Sequence, residues 1–141
     1  MEYTLSKHDA AVDQLDWAIR LFLDNNAYVP AITLAGAAEE ILGEMLGADS
    51  AFVQLKQRIM AMSDLPEKVV TQLHINKSKN WLKHWQGLRD EETINLDLET
   101  EAIQYIVRAV ANLIGQDRSL PSEGSRFFSW LRANRTELYA L

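Results

Sequence analysis

The stretch KSKNWLKHW, Lys77 to Trp85, sets three lysines, an asparagine, a histidine and two tryptophans side by side. These residue types suit phosphodiester chemistry that needs no metal. A histidine titrates near neutrality, so it can take a proton from a ribose 2′-hydroxyl or give one to the leaving 5′-oxygen. A lysine stabilises charge as it builds on the phosphoryl oxygens. An asparagine amide hydrogen-bonds a phosphate oxygen or fixes the imidazole. His84, Lys79 and Asn80 are therefore the candidate catalytic residues, and Lys77 and Lys83 are candidate binding residues beside them. One histidine is thin for acid and base together. A homodimer with two such stretches face to face would supply the second.

Each residue of a helix turns about 100°. Asn80 and His84 then stand one above the other, with Trp81, Trp85 and Leu88 as the adjoining apolar stripe and Lys79 and Lys83 on the side away from it. Tryptophans that anchor the helix would leave Asn80 and His84 at the edge of the buried seam, held firmly yet open to a ligand. The plain alternative is an amphipathic helix with snorkelling lysines and aromatic packing. Glu39 is the third candidate binding residue. It falls at the edge of an apolar arc, with Gly36 and Gly43 leaving a notch around it. It is expected either to face the Lys79/His84 region or to lie half-exposed at the helix edge. Glu40 is expected to face solvent. His74 reads as a boundary histidine and His8 as a surface one.

The elements that must position these residues read as helices almost throughout. A first helix starts after Ser6 and turns Val12, Leu15, Ile19 and Phe22 inward; asparagines and a proline in DNNAYVP end it. A second covers about 29–46, with the small run Ala35 to Ala38 for close helix approach and Gly47 as its stop. A third follows Ser50 and is expected to bury Phe52, Leu55, Ile59 and Met62. The pattern SDLPE restarts the chain, with Asp64 and Glu67 as a capping box and Pro66 in the first turn. The region from 66 to 87 is either one helix or two pieces broken near Asn76 to Ser78, and Gly87 loosens its end. Asp97 opens the next helix, with Glu99 and Glu101 suiting its dipole and Ala102, Ile106, Val110 and Leu113 as its stripe. A short C-terminal helix in about 122–134 offers Phe127, Phe128 and Leu131 to cover the core or meet a partner chain, the first being favoured. Trp17 and Trp130 are expected to pack. The fold class is all-α: an up-and-down bundle of four to five helices with a short C-terminal helix, in one domain over residues 1–141 with its core in about 7–115.

Composition narrows the function. The 141 residues are 48% hydrophobic and 24% charged, enough for a real core without staples. There is no cysteine, which removes disulfides, thiolate metal sites and thiol nucleophiles. A net charge of −6 disfavours non-specific nucleic-acid binding. Yet five Lys or Arg and no Asp or Glu occur from Lys68 to Arg89, so one local anion site is compatible with an acidic chain. There is no phosphate-cradling glycine loop, His-Glu-x-x-His, Glu-x-x-His or Gly-x-Ser-x-Gly, so no metal site or cofactor is expected. Acids stand at the N-terminus where a signal peptide has bases, and no apolar run reaches the length of a bilayer span. A cytoplasmic protein is expected, with no membrane partner.

The run Lys79-Asn80-Trp81-Leu82-Lys83-His84 resembles the signature of the HEPN superfamily (higher eukaryote and prokaryote nucleotide-binding domains). That signature is an arginine, commonly a polar residue after it, and a histidine after four to six intervening residues. AITLAGAAEEILGEML also resembles the second helix of uncharacterised bacterial HEPN-like proteins. The resemblance covers roughly residues 7–115 by helix pattern. It implies a four- to five-helix bundle with the motif late in the chain. It also implies a homodimer, RNA or nucleotide as ligand, and either a metal-independent endoribonuclease or a non-cleaving relative. The implied setting is bacterial defence or toxin–antitoxin, with an antitoxin or other protein as partner. On this resemblance Lys79 takes the arginine's place, Asn80 the polar position and His84 the catalytic position. Lysine keeps the charge but lacks the planar fork that grips phosphate at two points. Weak cleavage and a degenerate site both follow from that, the second being favoured. The alternative is a non-catalytic homodimerisation or protein-interaction module on the same bundle.

Overall fold

Ser6 accepts a hydrogen bond from the Asp9 amide and so caps the first helix, as its sequence predicts. The computed structural model describes residues 1–85 and 92–139, the side chains of 72–74 and 139 excepted. Its elements are α1 (Lys7–Asn25), α2 (Tyr28–Leu46), a 3-10 turn (Gly47–Asp49), α3 (Ala51–Met62), α4 (Glu67–Val69) running into a π-helical stretch (Val70–Ile75), α5 (Lys77–Lys83), α6 (Leu98–Gly115), α7 (Gly124–Asn134) and α8 (Thr136–Tyr139). No strand occurs among the described residues, and the protein is an all-α bundle. Gly87 and Leu88 lie outside the described residues.

The connection from α1 to α2 is tight because Asn26 takes a left-handed conformation (φ 50°) and its N–H, like that of Ala27, reaches back to the Leu21 carbonyl. Asparagine tolerates that region better than most residues. Gly47 closes α2 at φ 58°, ψ −121°, a conformation that only glycine adopts without strain.

Helix α2 packs along its length on α1 and on α6. The shared core is apolar: Ala11, Leu15, Ile19 and Phe22 from α1, Ala31, Ile32, Ala35 and Leu42 from α2, Ile103, Ile106, Val110 and Leu113 from α6. Small residues on α2 permit this double packing. From α7, Phe127 and Leu131 are buried in the same core, and the Phe22 ring meets Tyr28, Phe127 and Trp130 at centroid distances of 5.4, 5.7 and 4.9 Å. The C-terminal helix thus covers the core.

Three expectations are corrected. No residue of α3 is fully buried, and Met62 is 85% exposed. This helix lies over the side of the bundle against α6 and the π-helical stretch, so its apolar face is only half covered. The Asp64–Glu67 box does not form: Pro66 is the cap, and the Glu67 carboxylate reaches back 2.7 Å to the Lys56 ammonium. Trp17 stays half exposed, with the Arg20 guanidinium 5.0 Å from its ring centroid, and only Trp130 packs against the core.

Candidate functional site

The region of uncertain continuity is two pieces, and a side chain from another helix divides them. In an unbroken α-helix the Lys79 N–H would donate to the Ile75 carbonyl. Here the Tyr105 hydroxyl stands between the two. It donates to the Ile75 oxygen at 2.9 Å and accepts from the Lys79 N–H at 3.4 Å. The chain approaches this break through a π-helical turn, with the Asn76 N–H reaching five residues back to Thr71. It resumes regular spacing with the Asn80 N–H on the Asn76 carbonyl at 2.9 Å. A side chain inserted in the ladder is a known cause of such a kink. Tyr105 is fully buried, and burial pushes its hydroxyl pKa above the usual value, so it acts as a neutral donor and acceptor. Ser78 fixes the same turn of α5 by donating to Glu101 at 2.7 Å.

Tyr105 belongs to a polar stripe on α6. Glu101, Tyr105, Arg108, Asn112 and Gln116 follow at helical spacing, beside the apolar stripe that the sequence shows more plainly. Each meets the chain elsewhere. Arg108 donates from Nε and Nη2 to the two Glu39 oxygens at 3.1 and 3.2 Å, with its guanidinium carbon 4.5 Å from the Tyr105 ring centroid. Asn112 donates to the Glu39 carbonyl and accepts from the Ala51 amide; Gln116 donates to the Leu42 carbonyl. This stripe ties α3 and α5 to the bundle, alongside the packing of Leu82 on the core.

Glu39 is therefore not placed as the sequence suggests. It neither pairs Lys79 nor orients His84, and it is not half-exposed. It is 3% exposed and held by Arg108. A buried carboxylate needs a partner, and the nearest cation with a planar fork takes it. Glu40 is the residue that meets the motif. Its side chain is 59% exposed, and its Oε2 lies 3.3 Å from the Lys79 ammonium. Lys79 reaches that point across Gly36, where an added Cβ would come within 2.6 Å of Lys79 Cδ. The glycine that reads as part of a notch for Glu39 instead seats the lysine stem.

Two clefts flank this ion pair. One, about 330 Å³, is lined by Glu39, Glu40, Gly43, Glu44, Gly47, Ser50, Phe52, Val53, Asn76 and Lys79. The other, about 430 Å³, is lined by Thr33, Ala37, Glu40, Ile41, Glu44, Lys79 and Lys83. Lys79, Glu40 and Glu44 border both. Asn80 is half-buried, and neither it nor His84 lines either cleft. Lys77 is exposed and also stands apart from both.

The end of the motif departs from the expected helix. It stops at Lys83, and His84 takes extended dihedrals (φ −125°, ψ 149°) while its N–H still donates to the Asn80 carbonyl at 3.0 Å. Asn80 and His84 do not continue one helical face. Trp85 does not anchor the segment: it is 68% exposed, whereas Trp81 is half-buried and Leu82 packs on the core. Lys83, His84 and Trp85 thus form a consecutive exposed run. The side chain of His74 lies outside the described residues.

Sequence reading set Glu40 in solvent and a possible break at Asn76, as found, but missed the contact of Glu40 with Lys79 and the parts played by Tyr105 and Arg108. The signal for the last two was present: an arginine and a tyrosine three apart within the apolar run of α6, where an isolated charge needs a buried partner. Among the described residues no group of three or more His, Asp or Glu could hold a metal ion. No described helix is long and apolar enough to cross a membrane. Comparison with family models, curated proteins and solved structures finds no match for this chain.

Proposed function

We propose that the chain is a HEPN-like helical domain that binds single-stranded RNA or nucleotides at the motif edge without cutting them. The observation that carries this reading is the division of the motif. Lys79, which would have to stabilise the phosphoryl oxygens during cleavage, is seated along Gly36 and borders the two clefts, whereas Asn80 and His84 line neither. Lys83, His84 and Trp85 stay exposed at the end of α5. An exposed indole near an exposed lysine is a stacking platform with a phosphate contact next to it. Stacking on such a ring contributes about 1–3 kcal/mol per base. A lysine contact to single-stranded phosphate adds a salt dependence of about −0.7 in log–log slope.

The test is anisotropy of a labelled oligouridylate at low salt, with EDTA present and the RNA checked on a gel. Expected are weak salt-sensitive binding, intact RNA, and loss of most affinity in Trp85→Ala and Lys83→Glu. No binding by the purified wild-type protein sinks the proposal. RNA cut in EDTA by the wild type but not by His84→Ala replaces it with the metal-independent endoribonuclease reading. A homodimerisation module is the second reading, favoured by the same exposed indole. It predicts that sedimentation shows a dimer which Trp85→Ala dissociates.

A further inference from the structure

The Lys79–Glu40 pair is unequal in a way that suggests a built-in competitor. The lysine is the fixed member: its side chain is 13% exposed, and its stem is seated on Gly36. The glutamate is the free member, 59% exposed and, among the described residues, hydrogen-bonded to nothing else. A carboxylate and a phosphate oxygen are interchangeable acceptors for one ammonium. The pair also stands where the two clefts meet, since Glu40 and Lys79 border both. An exposed side chain changes rotamer within nanoseconds. When Glu40 turns outward, the Lys79 ammonium loses its carboxylate at the edge of both clefts, the second of which Lys83, one turn along α5, also lines.

We infer that Glu40 is a displaceable gate on Lys79, occupying the position of a nucleotide phosphate that enters the cleft beside Lys79 and Lys83 once the carboxylate swings out. The inference rests on the RNA-binding proposal and adds to it the place of one phosphate. Bases stack on Trp85 whether or not the gate opens; the phosphate reaches Lys79 only when it does. The gate therefore lowers affinity by the strength of a partly exposed ion pair, about two- to fivefold.

The experiment is the same anisotropy titration on wild type, Glu40→Gln, Glu44→Gln, Lys79→Met and the double variant Glu40→Gln/Lys79→Met. Glu44 lines both clefts one turn further along α2, so its neutralisation controls for net charge. Methionine keeps the lysine's stem on Gly36 and removes only the ammonium. Expected is about two- to fivefold tighter binding in Glu40→Gln. Glu44→Gln should gain distinctly less, and the Glu40→Gln gain should vanish in the Lys79→Met background. Equal gains from the two glutamines, or a gain that survives Lys79→Met, overturn the gate. If wild type binds RNA and Glu40→Gln binds no better, the gate fails while the RNA-binding proposal stands. If neither binds, both fail. If only Glu40→Gln binds, the RNA-binding proposal fails for the wild type, and the gate, which rests on it and is worth only about two- to fivefold, fails with it.

Discussion

Glu39 and Glu40 are adjacent on α2, and each faces a cation from another helix, yet they belong to different kinds of structure. Glu39 is sealed against Arg108 in a paired geometry that spends both carboxylate oxygens. Glu40 lies in solvent and touches Lys79 with one oxygen. The first pair sits where α2 meets α6, beside a core built of apolar side chains. The second sits where α2 meets α5, a short helix held by the Tyr105 hydroxyl, the Ser78–Glu101 bond and Leu82. A charge that is buried must stay paired, because the alternative is an ion without water. A charge at the surface can trade its partner for another at little cost. The same residue type is thus a structural fixture at one position and an exchangeable contact at the next.

The sharpest way to break this contrast is Arg108→Ala. It leaves the Glu39 carboxylate buried without its cation, and such a loss costs about 3–5 kcal/mol. That is a large share of the total stability of a domain this size, about 5–15 kcal/mol. Urea unfolding followed by circular dichroism measures it. The paired replacement Glu39→Leu/Arg108→Met should recover most of the loss, since an apolar pair of similar volume is often neutral in place of a buried ion pair. A loss under about 1 kcal/mol for Arg108→Ala, the range of an exposed pair, would mean that Glu39 is as exchangeable as Glu40, and the contrast would fall.

How much of this was legible depended on whether one residue type or a distant pairing decided the outcome. The inward stripe of α1 (Leu15, Ile19 and Phe22, with Val12 only partly buried) and that of α6 (Ala102, Ile106, Val110 and Leu113) emerge from period alone, because burial of one helix face is a local property. The cap at Ser6 and the one at Asp97, which accepts from the Thr100 amide, are likewise local chemistry. The partner of Glu39 was not legible, because Arg108 lies 69 positions away and Lys79 offered an equally good cation in sequence. The motif was readable as residue types but not as geometry. Its break depends on a tyrosine hydroxyl from α6, and its end depends on where the helix stops, one residue before His84. Phe52, Leu55 and Ile59 have the spacing of a core face, yet α3 lies on the flank of the bundle, and spacing carries no information on how much is laid over a face.

Tyr105→Phe is a smaller break and a more local one. The phenyl ring keeps its place, but the Ile75 carbonyl and the Lys79 N–H both lose their partner. An unsatisfied buried group of this kind costs about 1–3 kcal/mol. The loss should appear mainly in one region, because the core of α1, α2 and α6 does not use the hydroxyl. Native-state hydrogen exchange should therefore show the amides of Lys79 and Asn80 exchanging faster, with those of Leu15 and Leu42 changed only by the global loss. Uniform acceleration along the chain would show that α5 unfolds together with the core, and the two regions would be one cooperative unit.

Gly36→Ala should move stability least, and it separates seating from pairing at Lys79. Two effects oppose each other. Alanine favours a helix interior over glycine by about 1 kcal/mol. Against that, the new methyl would stand 2.6 Å from Lys79 Cδ and 3.0 Å from Cγ, so the stem has to move. The obstructing atoms belong to a flexible side chain rather than to backbone, and the lysine can lift outward without disturbing α2. Net stability should therefore stay within about 1 kcal/mol of wild type, the size of the helix-propensity gain itself. The change should appear instead in the accessibility of Lys79, read as faster acylation of its amine by an N-hydroxysuccinimide ester relative to Lys77 on the same helix. If Lys79 reacts no faster while stability falls, the helix has shifted in place of the side chain. The lysine would then be held by Glu40 rather than by the groove, and the surface pair would prove the more rigid of the two.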